Sequence, residues 1–131
     1  MTAPKWVPLS AIVVIHDRQI ARHGGAPGLR DKGLLEAGAA RALNAHAYGE
    51  EDLFRLAAKL SYGIAKAHAF VDGNKRTAFV AAATFLRLNC FQIRPDALEG
   101  VRTMKDLAAS VLSEDAFADW LRLRSNPLSA G

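Results

Sequence analysis

A single cysteine, Cys90, stands in this chain, so no intramolecular disulfide can form and no cysteine cluster can hold zinc or iron–sulfur. Its place at the end of an apolar helical stretch reads as a buried structural thiol. Nowhere do about 18 apolar residues run together, as a membrane-spanning helix requires. The opening MTAPKWVPLS has neither the long apolar region nor the cleavage-type site of a leader, and the expectation is a cytoplasmic protein. Repeats and low-complexity tracts are absent, and 50% of the residues are apolar, which argues against extensive disorder. Basic residues do not cluster either. The 17 Lys and Arg are scattered among 13 acids, for a formal charge of +4, whereas a nucleic-acid footprint gathers its cations on one face or helix. An acidic ligand such as a nucleotide, or an acidic peptide, accounts for that balance equally well. Also missing are the phosphate-loop string G-x-x-x-x-G-K-[ST], the metalloprotease string H-E-x-x-H, and the H-R-D and D-F-G strings of the protein-kinase fold.

What is present is a set of helical patterns. The 131 residues suit one domain with one sizeable core, taken as 1–131 with 125–131 as a frayed tail. Residues 8–22 read as a first helix with Ser10 as its N-cap, although the β-branched run at 12–15 also has strand propensity. Residues 23–33 form a glycine-rich loop. A second helix follows, capped by Asp31 and ending at Tyr48-Gly49. Glu50, Glu51 and Asp52 then sit where the dipole of a third helix favours acids, and Leu53, Leu56, Leu60 and Ile64 give that helix an amphipathic face ending at Ala67. A fourth helix spans 74–89 and is apolar almost all round, as expected for a helix enclosed by others. Beyond it come a short extended piece at 91–93, a peripheral fifth helix at 96–111, and a sixth capped by Ser113 with Phe117, Trp120 and Leu121 inside. The expected class is all-α: a compact bundle of about six helices around a buried central one.

Chemistry concentrates between the third and fourth helices. Asn74 reads as the N-cap of the central helix, yet Lys75 and Arg76 place two cations at its positive end, which is unfavourable unless an anion is bound. Gly73, the backbone N–H groups that follow it and those two cations make a phosphate cradle. Asp72 is a hard-oxygen group suited to Mg²⁺, and His68 is the side-chain type most readily used as a base near neutral pH. A loop acid and a structural histidine are the bland alternatives, and the concentration of these groups within nine residues favours the site. Phe70 reads as an apolar peg fixing the loop. For the neighbours His16 and Asp17, a buried structural histidine with a hydrogen bond is preferred over a catalytic dyad. A metal-dependent hydrolase using His68, Asp72 and His46 lacks a recognisable ligand motif.

The string HAFVDGNKR at residues 68–76 closely resembles the signature of the Fic/Doc family, His-x-Phe-x-(Asp or Glu)-(Gly or Ala)-Asn-(Gly or Lys)-Arg. Lysine at the eighth place is similar to the Doc branch. Residues 15–17, 23–28, 30–31, 33–36, 44–49 and 85–89 also resemble the Doc pattern. The resemblance implies an all-α fold, His68 as general base, Asp72 as Mg²⁺ ligand, and Gly73, Asn74, Lys75 and Arg76 on the phosphates of ATP. It further implies a flap formed by the glycine-rich loop, with Gly24, Gly25, Gly28, Arg30 and Asp31 as candidates for contact with the target or the antitoxin. Members that transfer AMP carry glycine where this chain has Lys75 and a second arginine where it has Phe79. The two departures argue against AMP transfer with ATP in the usual orientation. The implied activity is transfer of the γ-phosphoryl group to a protein hydroxyl, with translation elongation factor Tu as the target. The implied role is the toxin of a toxin–antitoxin pair whose antitoxin covers the site with a disordered peptide, any nucleic acid being met only through that antitoxin. Protein AMP transfer is the alternative, and an inactive nucleotide- or peptide-binding module comes after it.

Overall fold

The computed structural model describes residues 3–128. In chain order these form α1 (Leu9–His23), α2 (Lys32–Ala47), α3 (Leu53–Ala67), α4 (Asn74–Leu88), β1 (Phe91–Ile93), α5 (Ala97–Ala108), α6 (Glu114–Leu123) and β2 (Ser125–Pro127). The fold is all-α, six helices with one small two-stranded sheet.

Helices α3 and α4 make the middle of the bundle, α2 and α6 packing on α3 and α1 on α4. The α2–α3 contact is close because glycine meets glycine. A Cβ on Gly63 would lie 2.1 Å from the Gly38 carbonyl oxygen, and one on Gly38 would lie 2.5 Å from that of Gly63, so any side chain at either place would force the helices apart. Between α3 and α4 the small residues Ala78, Ala81 and Ala82 are buried, and Ser61 Oγ donates to the Ala78 carbonyl at 2.9 Å, which satisfies a hydroxyl that would otherwise be costly inside. Phe85 closes the same core, fully buried with its ring 5.3 Å from that of Trp6.

Helix starts follow side-chain chemistry. Asp31, Asp52, Asp96 and Ser113 each accept from backbone N–H groups of the first turn, as good N-caps do. Two starts differ from the sequence reading. Helix α1 begins at Leu9 behind an extended Pro8 with no side-chain cap, the Pro8 carbonyl accepting from Ile12 N–H at 3.1 Å, and Ser10 lies within the first turn. Helix α4 has Gly73 at its N-cap position in the left-handed conformation, and Asn74 is its first residue.

Four further expectations are corrected. Residues 125–127 are no frayed tail: they pair antiparallel with β1, Phe91 opposite Pro127 and Ile93 opposite Ser125. Strand β1 needs partners for its backbone groups, and among the described residues the returning chain end supplies them. Residues 129–131 of that expected tail lie outside the described ones. Cys90 is exposed, since α4 has already ended and the turn at Cys90 (φ 72°) carries it outward. Helix α5 is not merely peripheral, because Gly100, Thr103, Met104 and Leu107 are buried. Helix α4 is not enclosed on all sides: Phe79 and Val80 are only half-buried, and this apolar flank faces a cleft.

Candidate active site

Residues 68–73 join α3 to α4, and many of the polar backbone groups of that loop have partners. His68 ends α3 in the left-handed conformation, φ 51° and ψ 38°, which disfavours a residue with a Cβ. Its carbonyl accepts from Arg30 Nη2 at 2.6 Å. The Ala69 carbonyl accepts from the N–H groups of Arg30 (2.7 Å) and Asp31 (3.0 Å), while Val71 N–H donates to the Gly28 carbonyl at 3.0 Å. Leu29 and Phe70 thereby form an antiparallel bridge. The glycine-rich loop is thus stitched along the site loop and braces it.

Phe70 is buried and stacked on His16, with ring centroids 3.9 Å apart and planes 9° from parallel. Asn74 turns back over the loop: its Oδ1 accepts from Phe70 N–H at 3.1 Å and its Nδ2 donates to the Phe70 carbonyl at 3.0 Å. Asp72 accepts from Gly73 N–H at 2.8 Å and from Ala26 N–H at 3.3 Å. These two bonds, with the nearby charge of Arg76 as a smaller contribution, hold its carboxyl below the usual range, so it is ionised and able to hold a cation. Gly25 makes that approach feasible, for a Cβ there would lie 2.6 Å from Asp72 Oδ2. Gly73, at φ 74°, turns the chain into α4. Arg76 is half-buried and donates to the Gly24 carbonyl at 3.2 Å.

All six motif residues named from the sequence (His68, Asp72, Gly73, Asn74, Lys75 and Arg76) line one cleft of about 540 Å³. Gly24, Gly25, Gly28, Arg30 and Asp31 are not among the residues that line it; Gly28, Arg30 and Asp31 brace the site loop through their backbone and guanidinium bonds, and Gly24 and Gly25 abut Arg76 and Asp72. The opposite wall is what sequence reasoning missed. Gly100, Val101 and Met104 of α5 face the cleft, and Gln19 and His23 of α1 reach its edge. The available signal was a small residue at Gly100 with apolar neighbours one and four places on, a pattern shared with any packed helix. Phe79 stands in the cleft with its ring edge toward Trp120, 6.4 Å between centroids.

Among the described residues no group of three or more His, Cys, Asp or Glu gathers to hold a metal ion. His46 lies away from the cleft, its Nδ1 3.0 Å from the Glu50 carbonyl oxygen and its ring beside Trp6. One ionised carboxylate on this cleft nevertheless fits Mg²⁺, which takes one or two carboxylates and completes its shell from water and phosphate oxygens. The arrangement offers a base, an acid for a cation, an anion-binding helix start and two cations on one wall. It is suited to chemistry at a phosphate.

Comparisons with known proteins point the same way. A model of the Fic/DOC family matches residues 6–86. The chain is 38% identical over 112 residues to "Protein kinase doc" of Escherichia phage P1, covering 85% of this chain and 88% of that one. It is 43% identical over 99 residues to "Toxin Doc" of Mycolicibacterium smegmatis, covering 73% and 74% respectively.

Proposed function

The chain belongs to the Fic/Doc family, and from that premise we propose that it is the toxin of a toxin–antitoxin pair, transferring the γ-phosphoryl group of ATP to a protein hydroxyl. The observation that carries this reading is the convergence of His68, Asp72, Gly73, Asn74, Lys75 and Arg76 on one cleft. The names of the two relatives, a protein kinase and a toxin, support it.

In this reading His68 takes the proton from the attacking hydroxyl as the oxygen–phosphorus bond forms. The bond from the γ-phosphorus to the β–γ bridging oxygen breaks, and ADP leaves. The N–H groups at the start of α4 and the side chains of Lys75 and Arg76 hold the phosphates and stabilise the charge that spreads over the transferring group. Asp72 would hold Mg²⁺, which when bound neutralises charge on the phosphates. Phe79 and Val101 offer an apolar surface to the rest of the nucleotide. Lys75 and Phe79, where AMP-transferring members carry glycine and arginine, favour attack at the γ-phosphorus over the α-phosphorus.

The proposed target is elongation factor Tu, whose modification would stop translation. The proposed inhibitor is an antitoxin peptide that orders across the flap and the cleft. Parallel incubations with α-labelled and γ-labelled ATP test the activity. Label reaching elongation factor Tu from the γ position alone supports it, and label from the α position would replace it with AMP transfer.

A further inference from the structure

His16 is fully enclosed, only 1% exposed, and has no part in the chemistry above. Its Nε2 lies 2.7 Å from the backbone oxygen of Asp72. A carbonyl can only accept, so Nε2 carries the proton and donates it. The other ring nitrogen, Nδ1, is buried without a hydrogen-bond partner, and Asp17 Oδ1, 3.7 Å away, is too far to be one. Leaving a polar atom unpaired inside is unfavourable. An apolar side chain of similar size would fill the space without that penalty, so the Nε2 bond is what the histidine supplies.

Three further observations say what that bond governs. The ring lies flat on Phe70, so it is fixed in plane before it meets Asp72. A Cβ on Gly73 would lie 3.6 Å from His16 Nε2, so the imidazole also sits directly beneath the left-handed turn that opens α4. On its other side Asp72 is held by Gly73 and Ala26 N–H groups on its carboxylate. The Asp72 peptide is therefore pinned from the core side while its carboxylate is tied to the Gly73 and Ala26 N–H groups.

We infer that His16 is a positioning residue for the anion-facing loop: the Nε2–H bond to Asp72 directs the Asp72 peptide inward, which points the Asp72 carboxylate and the N–H groups at the start of α4 into the cleft. The placement of the loop stands on the geometry, and its consequence for catalysis rests on the phosphoryl-transfer reading. His16 acts through Asp72 and touches no substrate.

The test compares wild type with His16→Gln, His16→Asn and His16→Leu. Glutamine can bring an amide N–H to the place of Nε2, asparagine is too short, and leucine fills the volume without a donor. We expect Gln to keep kcat near wild type, and Asn and Leu to lose about a hundredfold in kcat with the KM for ATP within about threefold, the effect of a small misplacement of reacting groups. Thermal denaturation should show His16→Leu folded, separating loss of position from loss of structure. Nitrogen-15 NMR of wild type should show Nε2 protonated. An unprotonated Nε2, full activity in His16→Leu, or equal losses in Gln and Asn would overturn the inference. Should wild type transfer nothing, the functional reading fails and this one is still decided. It then requires a protonated Nε2 and Gly73 and Asn74 amide shifts kept in His16→Gln but displaced in His16→Leu, and the opposite pattern defeats it.

Discussion

The side-chain amide of Asn74 and the backbone of Phe70 exchange two hydrogen bonds, one in each direction, at 3.1 and 3.0 Å. The first residue of α4 therefore ties down the loop that precedes it, and the carboxamide mimics a backbone partner. The Phe70 backbone has almost no other access to solvent, so these bonds cannot be replaced by water.

Asn74→Ala should accordingly destabilise the protein by about 1–3 kcal/mol, the cost of stranding buried backbone groups. Urea denaturation measures it. Asn74→Asp keeps the acceptor but loses the donor, and should fall between wild type and alanine.

Phe85 tests the core rather than the site. It is fully buried against Trp6, and Phe85→Ala should cost roughly 3–5 kcal/mol through the cavity left behind. An unchanged denaturation midpoint would mean that the α3–α4 core is not where the stability resides.

These two residues also show how far the sequence can be read. Six helices were legible from periodicity and helix-start signals, because Asp31 and Ser113 cap by local chemistry that needs no tertiary context and Asp52 lies among acids that favour a helix start. The cleft wall carrying His68 to Arg76 was legible because those groups are nearly contiguous. What lay beyond reach was set by contacts distant in sequence. Nothing in Ser125–Pro127 announces a strand, since Pro127 argues against one and its partner, β1, lies more than 30 residues upstream. Gly100 and Val101 reach the cleft only because α5 folds back across α4, and the Cys90 turn became visible only once the end of α4 was known. The bland reading of His16 foresaw its burial and its hydrogen bond, though not that the acceptor is Asp72.

Stability should fall with acid through carboxylates held in their ionised form. For Asp52, burial favours the neutral acid, but the Arg122 ion pair at 2.8 Å and the N–H groups of Arg55 and Phe54 outweigh it and lower its pKa. Asp72 and Glu99 are lowered as well, Asp72 chiefly by Gly73 N–H and Glu99 chiefly by Arg124. A folded-state pKa below the unfolded one means the unfolded chain binds more protons, so stability rises with pH. The contribution is complete above the ordinary carboxylate range, about pH 4, and is lost as the pH drops below it toward the folded values. Melting curves from pH 7 down to pH 3 should show this, and Asp52→Asn should be less stable at pH 7 with a flatter acid limb.

Lys75 is exposed and lines the cleft at the start of α4, where a cation without an anion is unfavourable. If it directs attack to the γ-phosphorus, Lys75→Gly should lower phosphoryl transfer by about a hundredfold, the usual scale for losing one electrostatic stabiliser of the transition state. Room for the α-phosphate should let a minor AMP transfer appear, incomplete because Phe79 still stands where AMP-transferring relatives have an arginine. Phosphorylation at the wild-type rate would remove the directing role from Lys75.

In the proposed reaction His68 serves as the base for phosphoryl transfer within this cleft. Its most direct test is the intact mass of elongation factor Tu after incubation with Mg²⁺, ATP and either the wild-type protein or folded His68→Ala. A phosphate increment is expected with wild type and none with His68→Ala, while both proteins bind ATP. An AMP increment, no increment with wild type, or a phosphate increment retained by His68→Ala would contradict it.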